Sequence, residues 1–71
     1  MKYTVILEGD AKRGFSAFSP DVPGVYATGA TAKVTRERVE SGIAYHIRKV
    51  RESGGQVPQP RVKAFVLNIQ V

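Results

Sequence analysis

Side chains able to do covalent or acid–base chemistry are sparse in this chain. Histidine occurs once, as His46, and cysteine not at all. Nucleophilic catalysis needs a Ser or Cys beside a base that a third group orients, and no such spacing surrounds His46, which reads as a hydrogen-bonding residue at a helix edge. Without cysteine, and with one histidine, no cluster of metal-ligand type forms. Glu37 and Glu40 fall on the exposed face of a helical stretch, where pairing with Lys33, Arg36 or neighbouring arginines is the expected role. The glycines of "GVYATG" precede that helix without the Gly-rich turn a nucleotide site requires. A non-enzymatic chain that needs no cofactor and no metal is the expectation.

Charge points to binding rather than catalysis. Eleven Lys and Arg stand against six Asp and Glu, a net charge of +5, which favours phosphate-rich or acidic partners. The basic residues are scattered, most with acidic neighbours, so a solvated surface is as good a reading as a nucleic-acid footprint. A nucleic-acid site would use Arg36, Arg38, Arg48, Lys49 and Arg51, and Tyr3, Phe15, Phe18, Tyr26 and Phe65 could supply aromatics of the kind that stack on RNA bases. In so short a chain the same aromatics are needed for the core. A basic RNA- or nucleic-acid-binding module is therefore the alternative reading, and a self-assembling domain a third.

The elements that must position these residues follow from periodicity. "KYTVILE" (residues 2–8) alternates as a strand, with Tyr3, Val5 and Leu7 on one face. After the "GDAKRG" turn cluster a second strand, residues 15–19, ends at Pro20, and a short third one, residues 25–29, lies between glycines. From Thr31 to Ser53 the period becomes helical, with Ala32, Val39, Ile43, Ile47 and Val50 in one arc. Thr31 is the predicted N-cap and Gly54 the predicted stop. Gly42 costs about 1 kcal/mol relative to alanine in a helix, a sign of close approach by another group. Val34 and Tyr45 point away from the apolar arc. "RVKAFVLNIQV" (residues 61–71) alternates again, with Phe65, Leu67, Ile69 and Val71 on one face. The predicted fold is α+β, β-β-β-α-β, an antiparallel three- or four-stranded sheet with one long helix packed on one face.

Seventy-one residues suit a single domain, residues 1–71, that buries only about 60% of the surface its unfolded chain exposes. With no disulfide or metal to staple it, self-association into a homo-oligomer, a dimer or larger, is expected. No apolar run approaches the roughly 20 residues of a membrane span, and the start lacks a signal-type pattern, so a cytoplasmic, membrane-free location is expected.

The densest punctuation lies in "GFSAFSPDVPGVYATGAT", followed by the long helix and then "GGQVPQP". Together with the opening "YTVILE", this series resembles the HicB family of antitoxins, in particular its small N-terminal-type domain, across essentially the whole chain. The motifs are Gly14 before an aromatic, the turn Pro20, Asp21, Val22, Pro23 and Gly24, then Gly29 and Thr31 before the helix, and the exit Gly55, Val57, Pro58 and Pro60. The resemblance implies an inhibitor that covers the active surface of a small basic ribonuclease, a HicA-like toxin. Many members add a C-terminal DNA-binding segment, which a chain stopping at Val71 would lack. Val25 stands where cysteine is common, Thr35 and Arg36 where apolar residues are expected, and a charge of +5 departs from the acidic surface that would attract a basic toxin. For toxin contact the expected residues are Asp21, Val22, Pro23, Val25 and Tyr26, with Glu37 and Glu40 as charge partners.

Overall fold

The computed structural model describes all 71 residues. Strands β1 (Ile6–Asp10), β2 (Gly14–Phe18) and β3 (Tyr26–Gly29) precede one helix, α1 (Ala32–Glu52). The strands form an antiparallel sheet in the order β1-β2-β3. Leu7 opposes Ala17, which opposes Ala27, while Ile6 opposes Phe18, which opposes Tyr26. Because side chains alternate across a strand, these rows lie on opposite faces. Ala17 is buried in the core, so its row faces α1, and the row of Ile6, Phe18 and Tyr26 looks outward.

Helix α1 packs on β3 and β2. Val39, Ile43 and Ile47, spaced four residues apart, bring one helix stripe onto Ala17 and the corner residue Val22, with Tyr3, Val25, Ala27 and Val57 packed around them. Thr35, fully buried in the same stripe, donates its hydroxyl to the Thr31 carbonyl at 2.7 Å, so its polar atom has a partner. Thr31 caps the helix by accepting from the Val34 N–H at 3.1 Å. At the other end Gly54 turns to φ 76°, and the Gly54 and Gly55 N–H groups donate to the Arg51 and Val50 carbonyls. No helix is long and apolar enough to cross a membrane.

Three expectations change. Pairing in β1 begins at Ile6 rather than residue 2, because the Thr4 N–H donates to the Asp21 carboxylate (3.2 Å) and the Thr4 carbonyl accepts from the Ser19 hydroxyl (2.7 Å). These side chains take the backbone groups that a ladder would use. Residues 61–71, expected as the last strand, carry no ladder at all, so the sheet has three strands. At their base the Arg61 and Val62 N–H groups donate to Asp21 instead of to a strand edge. Glu37 and Glu40 do not pair with the basic residues around them, since the one ion pair is Lys49–Glu52 at 3.4 Å.

Candidate partner-binding surface

The corner between β2 and β3 is held from within. Val22 is completely enclosed in the core, and its N–H donates to the Ser19 carbonyl at 3.2 Å. The Ser19 hydroxyl accepts from the Asp21 N–H while donating to Thr4. Gly24 turns the chain at φ 85°, a left-handed conformation that side chains other than glycine adopt only with strain. The Asp21 carboxylate accepts from the Arg61 and Val62 N–H groups at 2.9 Å each and from Thr4 at 3.2 Å. The Arg61 backbone N–H is the chief reason its pKa lies below the ordinary value. Val62 and Thr4 and the Arg61 charge act in the same direction, against an opposing effect of burial. Asp21 thus clasps three chain segments together.

What the corner presents outward is apolar. Phe18 and Tyr26, opposed across β2 and β3, are 42% and 73% exposed, and Ile6 continues the row onto β1. Beside them a shallow depression of about 390 Å³ is lined by Phe18, Pro20, Pro23, Val25 and Tyr26 among others. Two prolines and a core-anchored valine give this edge little freedom, so a partner that covered it would lose little chain entropy. Glu8, opposite Ser16, lies on the same sheet face one row away. On the other side of the molecule a larger cleft of about 760 Å³ opens between β1 and α1, floored by apolar side chains and walled by Arg36, Glu40, Arg48 and Arg51.

Over residues 3–68 the sequence matches the family described as HicB_like antitoxin of bacterial toxin-antitoxin system. The chain belongs to that family. No curated protein and no solved structure shows a match to it. Membership gives this HicB-like chain an antitoxin role in a toxin–antitoxin system, with a toxin as its partner.

The residues expected to touch the toxin are not one surface in this HicB-like fold. Asp21 and Val22 point inward, the first as a clasp and the second as core. Pro23 and Tyr26 are exposed, and half-buried Val25 lies between them and the helix. A Cβ on Gly42 would come within 3.1 Å of the Val25 side chain, so the mid-helix glycine leaves Val25 room that a larger residue would take only by displacing it a few tenths of an ångström. Glu40 lines the cleft on the other flank of α1, with Glu37 at 60° from it around the helix on the geometry of about 100° per residue. The basic set also divides. Arg36, Arg48 and Arg51 line the cleft, whereas Arg38 donates to the Thr28 carbonyl at 2.9 Å and Lys49 pairs with Glu52 and stands 5.5 Å from the Tyr45 ring. Ile6, Glu8 and Phe18 were not among the expected contact residues. Strand alternation carried to the ladder register would have found them, since Phe18 and Tyr26 flank the corner symmetrically.

Proposed function

We propose that this HicB-like antitoxin neutralises a small HicA-type ribonuclease by protein contact, without catalysis of its own. It would lay the row Ile6, Phe18 and Tyr26 and the corner prolines on the toxin. The observation that carries this reading is the exposed aromatic pair beside a rigid corner, on a sheet face that α1 leaves open. Between a basic toxin and a chain of charge +5, long-range attraction does not assist the encounter, so affinity rests on burying the apolar aromatic row at the centre of the contact. Glu8 supplies an acidic group at the edge of the patch. The site of action is the cytoplasm, where a ribonuclease that cleaves mRNA finds its substrate.

The test is a titration of the full chain against a purified HicA-type ribonuclease, and separately against single-stranded RNA, at low and high salt. Toxin binding that holds at high salt, with loss of cleavage, supports the reading. Binding of RNA alone, falling steeply with salt because the release of condensed counterions into a more concentrated solution gains less entropy, would assign the arginines of α1 the principal role and overturn it.

A further inference from the structure

The residues after Val62 form a largely exposed arm rich in apolar side chains. Phe65, Leu67 and Ile69 are 79%, 66% and 64% exposed, and Val66 between them is 97% exposed. Its base is nevertheless fixed. Tyr3 donates its hydroxyl to the Pro58 carbonyl and Thr4 to the Val62 carbonyl, both at 2.6 Å, and Asp21 accepts from the Arg61 and Val62 N–H groups. The arm therefore leaves the body from a defined point. The molecule is 48 Å long, well beyond the roughly 31 Å that a 21-residue helix spans.

The same chain carries an unfilled counterpart. β1 is an edge strand whose outer backbone groups have no ladder partner, because the only strand beside it is β2. Along that edge lies the cleft of about 760 Å³, floored by Tyr3, Val5, Leu7, Ile43, Ala44 and Ile47. Val5 and Leu7 are themselves substantially exposed. An open edge above an apolar floor is a standing site for strand addition, and its occupant must be a strand with alternate apolar side chains. Phe65, Leu67, Ile69 and Val71 provide that alternation over eight residues, 64–71, enough to run the length of the five-residue β1. The chain's own arm does not reach the edge. Its base is pinned beside Thr4, where β1 is entered, and its side chains stand free of the cleft.

We infer that residues 64–71 of one copy add as a fourth strand to the β1 edge of a second copy. Phe65, Leu67 and Ile69 enter the cleft below, and the exchange is reciprocal. Arm and acceptor lie on one chain, so a two-fold arrangement satisfies both at once and leaves neither an arm nor a β1 cleft unfilled. The exchange uses neither Phe18 nor Tyr26 and stands independently of toxin binding.

Sedimentation of the full chain, with amide hydrogen exchange on the same sample, tests this. The expected result is twice the mass of one chain, with the amides of 64–71 protected at least about 100-fold over free-chain rates. Leu67→Asp shifts the population to the mass of one chain, and Val66→Asp, on the other face of the arm, leaves it paired. A single-chain mass at every concentration overturns the inference. So does a dimer whose arm amides exchange freely, a measurement on the unmodified protein that holds even if a variant fails to fold.

Discussion

Asp21 shows how one side chain sets a fold and its pH dependence together. Its carboxylate joins the start of the chain, the corner and the base of the arm through three backbone N–H groups. These hold its pKa below the ordinary 3.8, led by the Arg61 N–H. A depressed carboxylate pKa contributes stability that is present in full above the unfolded value and lost as pH falls through the folded one. Urea melts should accordingly give a midpoint that is flat above about pH 5 and declines in acid. Asp21→Asn should lower the midpoint at neutral pH and remove much of that acid decline. A variant whose melts superimpose on those of the unmodified chain would show that the clasp contributes nothing. Val22 was equally open to misreading. In sequence it belongs to a turn rich in proline and glycine, which suggests exposure, and only the packing of the corner under α1 shows that it is core.

At the scale of elements, the helix was legible because its signals are local. Thr31, the stripe of Val39, Ile43 and Ile47, and Gly54 each act within a few residues, and all hold in the structure. Thr31→Ala should cost about 0.5–2 kcal/mol through the lost cap to Val34, and Ile43→Ala about 2–5 kcal/mol through the cavity it leaves. Urea unfolding checks both. For a domain with a total stability of order 5–15 kcal/mol, the second change should leave a measurable unfolded fraction. The strands were less legible. The start of β1 is displaced by hydrogen bonds from Asp21 and Ser19, residues far away in sequence, which no local pattern encodes. Residues 61–71 have the alternation of a strand, but alternation identifies a strand and not the edge on which it pairs.

For the whole molecule, the arrangement of two open surfaces on opposite sides of one small body is the main result. The outer sheet face carries the aromatic row, and the cleft beside β1 carries the acceptor for the arm. The turn at residues 20–24 and its likeness to the family's motif led to Pro23, Val25 and Tyr26, of which Pro23 and Tyr26 are exposed and Val25 is half-buried. That Glu40 and three arginines share the cleft, away from the corner, depends on the rotation of α1 over the sheet and could not be read from spacing alone. The central claim is that the aromatic row contacts the toxin. It is tested most directly by Tyr26→Asp in cells producing a HicA-type ribonuclease. Tyr26 is 73% exposed, so its replacement should leave the folding stability within about 0.5 kcal/mol. The account predicts that the unmodified chain restores growth and the folded Tyr26→Asp variant does not. Full rescue by that variant at equal abundance would contradict it.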